Sequence, residues 1–423
     1  MVAAVTIRGS RPGSGGGEVV YVIGTYPLLT TTFIDREIAA LRSQGLTVRV
    51  ISLRRPTCRL SPEQYKLVSG VRYVLPLSPL AVLLSHLSMM LTRPVAFWGA
   101  LAYLLSRPHA GVRERLRTVG HFGEGVHVAW LLRDGESPPH LHAHFVDRAA
   151  LVALVASRLL SGSYSATAHA NDIYVRPVML AEKIGNARFI VTCTHHNLRH
   201  LRTAVRVESV TPMVCIHHGL DLGRYGPRPS DGRTGRPIVI LAVGQLKAKK
   251  GFGDLISACK LLRDRGVDFA CEIVGEGPLR KQLTEQIRSL ELEGTVSLLG
   301  GLDHDDVIAR YRSADLFCLP CVTDADGDRD GIPNVVLEAM AMQLPVVSTR
   351  HSGIPEAVAH GSSGTLVAPG DPEALASALA ELVDEESKRE EMGRKGAEIV
   401  AMSFDVTVNA KELLSHFEQV AGL

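Results

Sequence analysis

The stretch YVIGTYPLLTTTFIDREIAALRSQGLTVRVISL, residues 21–53, decides the fold class. Tyr21 to Ile23 begins an apolar strand that runs into a Gly-Thr-Tyr-Pro turn. Apolar residues then recur at helical spacing between Thr31 and Gln44, Gly45 ends the helix, and Val48 to Leu53 predicts the next strand. A strand, a helix and a second strand in this order predict the opening of a doubly wound α/β domain with a parallel sheet.

The same pattern restarts in the second half of the chain with a predicted strand at Ile238 to Val243 and a helix from about Leu255. Four more strands are predicted, at Phe269 to Val274, Val296 to Leu299, Leu316 to Leu319, and Val346 to Ser348. With 423 residues, of which 46% are hydrophobic, the chain is long enough to bury two cores. We therefore expect two Rossmann-like domains that face each other across a cleft.

The domain boundaries follow from composition. Residues 1–18 are expected to form a flexible leader, residues 19–220 the first domain, and residues 237–402 the second domain. A stretch rich in Gly, Pro and charged residues predicts the linker, which we place at residues 221–236. Residues 403–423 are expected to form a last helix that crosses back to the first domain.

Charge divides the chain unequally. Residues 1–225 hold 25 Lys and Arg against 13 Asp and Glu, whereas residues 226–423 hold 21 against 31. The basic first half predicts a domain that faces an anionic membrane or an acidic lipid-linked acceptor, and uneven surface decoration is the alternative. The basic residues are spread out and aromatic residues make up only 5% of the chain, which argues against a nucleic-acid partner.

The seven cysteines are scattered and form no disulfide framework, so a reducing compartment is expected. Cys318 and Cys321 form a CxxC motif without a second pair, and Cys318 lies in an apolar run, which predicts packing at a strand end. The leader carries basic residues but lacks the apolar stretch of a secretory signal. The sequence therefore predicts a cytoplasmic location.

Residues 77–105 form the most apolar segment, but Arg93-Pro94 interrupts it near the middle. A hydrocarbon interior tolerates a charge and a helix break least at that depth. Two shorter helices, buried or partly laid on a bilayer surface, are therefore expected. Together with the basic first half, they predict a peripheral protein on the inner face of the cytoplasmic membrane.

The most informative motif is DGIPNVVLEAMAM, residues 330–342. Pro333 is expected at the first position of a helix, because its φ is preset and its missing N–H is not needed there. Asn334, Val335 and Val336 would then present free backbone N–H groups at the positive end of the helix dipole. Such an end favours a phosphate or a diphosphate.

Two carboxylates flank this helix start. Glu338 lies more than a turn inside the helix, where its two oxygens can accept hydrogen bonds from a vicinal diol such as a ribose. Asp330 precedes the turn and can reach a hexose hydroxyl. The alternative is a buried amphipathic helix whose acidic residues only cap it or form structural pairs.

Together with the downstream run LPVVSTRHSGIPEAVAHGSSGTLVAPGD, residues 344–371, this motif resembles the donor-binding signature of the retaining, GT-B-fold glycosyltransferases of family four. In that family two acidic residues eight positions apart flank the nucleotide sugar. Here they are Asp330 and Glu338, and the first is Asp where the family usually has Glu. The segment Tyr21 to Gly45 resembles the opening of the colanic-acid-type exopolysaccharide glycosyltransferases within that family.

The resemblance implies the roles of further residues. Lys250 would neutralise the departing diphosphate, although Lys247 and Lys249 are adjacent alternatives, and Gln245 stands where the family has an Arg that shares this task. His144 would lie near the transferred sugar. The resemblance gives the catalytic group His144, Lys250 and Asp330. The donor-binding set is Gly244, Gln245, Lys250, Gly275, Glu276, Gly277, Pro278, Asp330, Gly331, Ile332, Pro333, Asn334, Val335 and Glu338. The acceptor-binding set is Gly24, Thr31, Thr32, His169, Asn171 and Asp172.

No metal site is predicted, because the pairs His195-His196 and His217-His218 are adjacent residues that point in different directions on a strand. No cofactor is expected beyond a nucleoside diphosphate sugar as donor substrate.

The sequence thus predicts a retaining glycosyltransferase that moves a hexose onto a glycan, expected to be lipid-linked, in exopolysaccharide or cell-envelope polysaccharide biosynthesis. Two alternatives remain open. One is a sugar-nucleotide epimerase or a disaccharide-phosphate synthase on the same fold. The other is a non-catalytic sugar-nucleotide-binding subunit, which the departures at Gln245 and Asp330 motivate.

Overall fold

The computed structural model describes residues 17–58, 60–135, 137–175, 177–205, 211–227 and 235–421. The leader predicted at residues 1–18 lies outside the described part except for its last two residues, and residues 228–234 of the predicted linker lie outside it as well.

The first half of the chain builds a seven-stranded sheet in which all paired strands run parallel, with helices between the strands. Its strands are β1 Glu18–Thr25, β2 Thr47–Arg54, β3 Val71–Tyr73, β4 His140–His144, β5 Ser163–Ala168, β6 Ile190–Thr192 and β7 Met213–Cys215. Its helices are α1 Thr32–Ser43, α2 Pro62–Val68, α3 Pro79–Thr92, α4 Pro94–Leu105, α5 Val112–Leu132, α6 Arg148–Leu160, α7 Ala170–Tyr174, α8 Leu180–Asn186 and α9 His195–Ala204.

The second half builds a six-stranded sheet that is again parallel. Its strands are β8 Ile238–Val243, β9 Phe269–Val274, β10 Val296–Gly300, β11 Leu316–Leu319, β12 Val346–Thr349 and β13 Gly364–Val367. Its helices are α10 Phe252–Asp264, α11 Arg280–Ser289, α12 His304–Ser313, α13 Asn334–Ala341, α14 Ile354–Ala357, α15 Pro372–Asp384 and α16 Glu386–Ser403, and α17 Val406–Ala421 follows.

Both sheets change winding direction beside their first strand. The strand orders are β3-β2-β1-β4-β5-β6-β7 and β10-β9-β8-β11-β12-β13, so β1 lies next to β4 and β8 lies next to β11. Ligands of open α/β sheets bind beyond the carboxyl ends of the strands at such a reversal. The loops after β1, β4, β8 and β11 are therefore the places to look for a site.

The last helix belongs to the first domain's core, although it follows the second domain in sequence. Leu413 and Phe417 on α17 are buried in the same apolar cluster as Tyr21 and Ile34. The sequence placed one helix from residue 403 onward. In the structure α16 ends at Ser403, and Asp405 caps a new helix by accepting hydrogen bonds from backbone N–H groups of α17.

The apolar segment forms α3 and α4, which meet at Arg93 with a bend of 111°. Within the described residues, no single helix has the length and hydropathy of a membrane span. Large apolar side chains on α3, α4 and the start of α5 are nevertheless exposed, and we call this set the apolar face. It consists of Leu80, Leu83, Leu84, Leu87, Leu91, Val95, Trp98, Val112, Leu116 and Val119.

Candidate active site

Two lysines and two aspartates meet just beyond the carboxyl end of β8. Lys250 Nζ lies 2.7 Å from Asp330 Oδ2, and Lys249 Nζ lies 3.3 Å from Asp330 Oδ1 and 2.9 Å from Asp328 Oδ2. Burial alone would lower the pKa of Lys250, but the Asp330 carboxylate raises it above its usual value. Burial likewise opposes ionisation of Asp330, yet the two ammonium groups hold its pKa below the usual value. Both lysines and Asp330 are therefore charged at neutral pH.

The helix start next to this cluster differs from the prediction by one residue. Pro333 is the N-cap of α13, with φ −63° and ψ 127°, and the helix begins at Asn334. The N–H of Val336 donates to the carbonyl of Pro333 at 2.9 Å, so the prediction that it is free was wrong. Asn334 and Val335 lie in the first turn, where the helix itself offers no acceptor for their N–H groups. These two groups remain available to an anion.

Glu338 is buried on α13 and is held from both domains. Its Oε2 accepts a hydrogen bond of 3.2 Å from the Tyr311 hydroxyl, and its Oε1 lies 3.9 Å from Nη1 of Arg36 on α1. The side chains of Arg36 and Glu338 are 16% and 10% exposed, and Nε and Nη2 of Arg36 have no hydrogen-bond partner among the described residues. Arg36 was not among the predicted site residues.

The loops after β8 and β9 pack closely enough to require glycine. Gly275 has φ +145°, and a Cβ there would lie 1.9 Å from the carbonyl oxygen of Gly244. A Cβ on Gly277 would lie 2.6 Å from the carbonyl oxygen of Leu246. Gln245 is exposed beside them. The structure thus brings these predicted donor residues to the same edge of the sheet as Lys250.

Glu276 and Pro278 lie in the same loop and are exposed. Glu276 pairs with Arg280 at 2.9 Å, which leaves its carboxylate at the surface. Gly331 and Ile332 lie between Asp330 and the start of α13, where Gly331 approaches Thr194 of the first domain. All the predicted donor residues therefore fall on loops after β8, β9 and β11 or on α13.

The opposite wall carries a row of histidines. His144 is fully buried, its Nε2 lies 2.9 Å from Glu37, and its Nδ1 lies 3.3 Å from Nε2 of His169. Nδ1 of His169 lies 3.3 Å from Nε2 of His218, on whose ring Phe33 stacks. Both ring nitrogens of His144 are occupied in this way. In this conformation the side chain offers no free nitrogen, and the role of His144 near the transferred sugar stays a prediction.

Burial is the largest influence on the pKa values of His169 and His218. It lowers the pKa of His169 well below its usual value and that of His218 to about 3. Burial opposes ionisation of Glu37, but the neighbouring His144 holds the pKa of Glu37 low. His169 and His218 are therefore neutral and Glu37 is ionised at neutral pH.

The predicted acceptor residues separate into exposed and structural groups. Asp172 is buried and accepts hydrogen bonds from the backbone N–H groups of His169 and Val146. Burial, helped by Asp147, raises the pKa of Asp172 to about 8. We therefore assign Asp172 to the cap of α7 rather than to acceptor contact.

Thr31 precedes α1, and its hydroxyl donates to the carbonyl of Leu28 instead of capping the helix. Gly24 and Thr32 are partly exposed on either side of it. Asn171 is exposed, and its Nδ2 lies 3.3 Å from Oδ1 of Asp328 in the second domain. Asn171 is the predicted acceptor residue that reaches across the cleft.

Glu356 makes a second bridge across the cleft that the sequence did not assign. Its two oxygens accept hydrogen bonds of 2.8 and 2.7 Å from the backbone N–H groups of His195 and His196, at the start of α9. Its Oε2 also lies 3.3 Å from Nε2 of His217. Glu356 thus joins α14 of the second domain to α9 of the first.

Comparison with known proteins finds a family and several relatives to which the chain is similar. Residues 228–399 match the family described as glycosyl transferases group 1. The chain is 44% identical over 162 residues to the putative colanic acid biosynthesis glycosyltransferase WcaL of Escherichia coli K12, covering 38% of this chain and 40% of the relative. It is 45% identical over 147 residues to the amylovoran biosynthesis glycosyltransferase AmsK of Erwinia amylovora, covering 35% and 36%. The chain thus spans less than half the length of these two relatives.

A solved structure shares the fold over nearly the whole chain. HepE of Anabaena, in complex with UDP, superposes with a TM-score of 0.69 at 17% identity and covers 96% of this chain and 100% of its own. The predicted GT-B architecture of two Rossmann-like domains is confirmed. Residues 228–399, which hold Lys250, Asp330 and Glu338, are the part of the chain that matches the glycosyl transferases group 1 family.

Proposed function

We propose that this protein transfers a hexose, with retention of anomeric configuration, from a nucleoside diphosphate sugar to a glycan of an exopolysaccharide or cell-envelope polysaccharide. The observation that carries the proposal is the pairing of Lys249 and Lys250 with Asp330, which lies four residues before the first residue of α13. Once released from Asp328 and Asp330, the two ammonium groups, together with two open backbone N–H groups, can bind a diphosphate through charge and hydrogen bonds. The names of the relatives support the polysaccharide assignment.

The site suggests how transfer proceeds. As the bond between the sugar and the diphosphate breaks, Lys250 and the N–H groups of Asn334 and Val335 take up the charge that develops on the leaving group. The sugar passes through an oxocarbenium-like state, and no protein carboxylate is required as a nucleophile. Asp330 orients a hexose hydroxyl, and Glu338 accepts hydrogen bonds from the ribose diol. No metal or cofactor is assigned to this step.

The acceptor is proposed to be a lipid-linked glycan reached from a membrane surface. The apolar face on α3, α4 and α5 is flanked on α5 by the exposed side chains of Arg113, Arg115 and Arg117. Apolar side chains that enter the headgroup region, together with arginines that meet anionic lipids, support peripheral binding. We place the protein on the inner face of the cytoplasmic membrane.

A binding experiment tests the donor assignment. Purified protein is titrated by calorimetry with UDP, GDP and ADP and with their glucose and mannose conjugates. We expect one nucleoside diphosphate to bind and Lys250→Ala to weaken that binding. Binding of none of the three nucleotides would overturn the proposal.

A second experiment separates a transferase from a non-catalytic binder. The preferred donor is incubated with the protein in the absence of acceptor, and free sugar and nucleoside diphosphate are measured. A competent site is expected to release both slowly by transfer to water. The protein would instead be a non-catalytic sugar-nucleotide-binding subunit if it binds the donor tightly, releases sugar no faster than buffer without protein, and forms no glycan when acceptor lipid is added.

A further inference from the structure

Four side chains with metal-binding atoms converge between the domains, and none of them belongs to the predicted donor residues. We call His195, Cys215, His217 and Glu356 the interdomain cluster. His195 begins α9, Cys215 ends β7, and Glu356 comes from α14 of the second domain. His217 follows Cys215 by two residues, so the extended chain places both side chains on the same side. One donor atom of each residue lies within 4.8 Å of those of the other three.

The distances are near those of a tetrahedral metal site. Nε2 of His217 lies 3.3 Å from Oε2 of Glu356, and Sγ of Cys215 lies 4.0 Å from Nε2 of His217. Around an ion with bonds of about 2.0–2.3 Å, neighbouring ligand atoms are separated by roughly 3.3–3.8 Å. The widest separation in the cluster therefore needs to shrink by about 1 Å, which side-chain rotation can supply.

The surroundings of Glu356 resemble the support that metal ligands receive. Each of its oxygens accepts one backbone N–H from the start of α9, and Oε1 keeps a further lone pair for a cation. Hydrogen bonds of this kind fix a ligating carboxylate in orientation. The contact of Oε2 with Nε2 of His217 gives way when that nitrogen binds the ion. His195 is exposed, which gives an ion a path from solvent.

We propose that the interdomain cluster binds one transition-metal ion of the Zn²⁺ class, and that the ion joins the two domains. A thiolate, two imidazoles and one carboxylate are ligands that Zn²⁺ accepts in four-coordinate sites. The hard oxygen-preferring ions Mg²⁺ and Ca²⁺ do not suit this set. Because three ligands come from the first domain and one from the second, the bound ion stabilises the arrangement in which the cleft walls face each other.

Two neighbouring groups of potential ligands lack these properties. One comprises His169, Cys193 and His218, and the other Glu37, His142 and His144. Both nitrogens of His169 and both of His144 are engaged with neighbouring side chains, and His142 is bonded to Ser165 and Thr167. All the ligands of these two groups also belong to the first domain, so an ion bound by either group would not link the two domains.

The test uses the full chain stripped of metal with a chelator and titrated with Co²⁺, which reports its ligands by visible absorption. We expect saturation at one ion per chain, tetrahedral d–d bands, and a thiolate-to-cobalt charge-transfer band. Zn²⁺ should displace Co²⁺ and abolish the spectrum. Absence of the charge-transfer band at saturating Co²⁺ would overturn the proposal.

Variants identify the ligands. Cys215→Ser should remove the charge-transfer band, and His217→Ala and Glu356→Gln should each weaken Zn²⁺ binding at least tenfold in competition with a chromophoric chelator. Cys58→Ser is the matched control, because Cys58 is an exposed thiol outside the cluster and its loss should leave the spectrum unchanged. A band that survives Cys215→Ser or disappears in Cys58→Ser contradicts the assignment.

Folding and function are checked separately. His195→Asn removes only an exposed side chain and provides a second ligand variant if Cys215→Ser does not fold. Nucleoside diphosphate binding by Cys215→Ser, measured by calorimetry, should match that of the unaltered chain, since Cys215 is not one of the residues proposed to bind the donor. If the unaltered chain binds nucleoside diphosphate but no metal ion, the metal-site proposal is wrong and the proposed function stands. If it binds the metal ion but no nucleoside diphosphate, the proposed function is wrong and the metal site stands.

Discussion

Lys250 and Asp330 form an ion pair, with Nζ and Oδ2 2.7 Å apart, at the place where the proposed donor would put its diphosphate and its sugar. Both groups are charged before any ligand arrives, and each neutralises the other. A bound diphosphate must therefore draw Lys250 away from Asp330. The free carboxylate then becomes available to a sugar hydroxyl, so diphosphate binding and sugar binding are coupled through a single pair.

Lys250→Met should reduce donor hydrolysis and transfer by about 100-fold or more, because it removes charge stabilisation of the leaving group. Initial rates at saturating donor measure the effect. Lys247→Met is the matched control, since Lys247 is an exposed lysine three residues earlier and no contact ties it to Asp330 among the described ion pairs. Equal losses in the two variants would mean that Lys250 has no special role.

Asp330→Asn should separate binding from turnover. Removal of the carboxylate frees Lys250, and a partly exposed pair of this kind is worth about 1 kcal/mol, so nucleoside diphosphate should bind roughly 3- to 10-fold more tightly. The rate of transfer should fall, because the hexose hydroxyl loses the carboxylate that accepts its hydrogen bond. Calorimetry and initial rates on the same preparation test both effects, and weaker diphosphate binding would show that Asp330 does not compete for Lys250.

Glu338→Ala should weaken the binding of the nucleoside part of the donor and leave the binding of the diphosphate part unchanged. Loss of hydrogen bonds to a charged group costs about 1.5–3 kcal/mol, which predicts roughly a 10- to 100-fold weaker nucleoside diphosphate. Pyrophosphate, which has no ribose, should bind as before. Competition between the two ligands in a fluorescence assay provides the measurement, and an equal loss for both would place Glu338 elsewhere than at the ribose.

Stability should decline as the pH falls below 6.5. Burial, assisted by Arg188, lowers the pKa of His140 to about 4 in the folded chain, whereas an unfolded histidine has a pKa of about 6.5. The unfolded chain therefore takes up a proton that the folded chain resists, so the stability is fully present above pH 6.5 and is lost progressively toward pH 4. At pH 5 the loss from this residue is about 2 kcal/mol.

Urea unfolding of the full chain at pH 7.5 and pH 5 measures the loss at low pH. His140→Asn should reduce the difference between the two values, while His360→Asn, at an exposed histidine, should leave it unchanged. If the free energies of unfolding at pH 7.5 and pH 5 differ by as much in His140→Asn as in the unaltered chain, groups other than His140 cause the loss of stability in acid.

Leu91→Glu should weaken binding to vesicles that contain phosphatidylglycerol, because it places a charge at the most exposed leucine of the apolar face. Vesicle flotation measures the bound fraction. Met402→Glu alters an equally exposed apolar residue on α16 of the second domain and serves as the control. Unchanged binding of Leu91→Glu would remove the apolar face as the membrane contact.

The strands and most helices could be predicted from sequence because their signals are local. Apolar runs bounded by Gly and Pro located β8, β9 and β11 at or within a residue of their observed ends, and Gly45 marked the end of α1. Alternation along β4 could also have placed His140, His142 and His144 on the same face. Ser165 and Thr167, the partners of His140 and His142, come from β5, so these hydrogen bonds depend on sheet register, which is not local.

The contacts between domains could not be predicted. Arg36 reaches Glu338, and Glu356 reaches the start of α9, only because two separately folded sheets take one relative orientation. No periodicity within α1 or around Glu356 encodes that orientation. The sequence described the pairs His195-His196 and His217-His218 only as adjacent residues. The structure places His195 and His217 5.8 Å apart between ring centroids, through packing within the first domain.

The return of α17 to the first domain has a consequence for biosynthesis. Tyr21 and Ile34 emerge from the ribosome early, but Leu413 and Phe417, which cover them, are translated almost 400 residues later. Until then the first domain carries an uncovered apolar groove while the second domain is being made. The first domain is therefore completed only after the second domain has been made, and the nascent first half is the stage at which a chaperone has an apolar surface to bind.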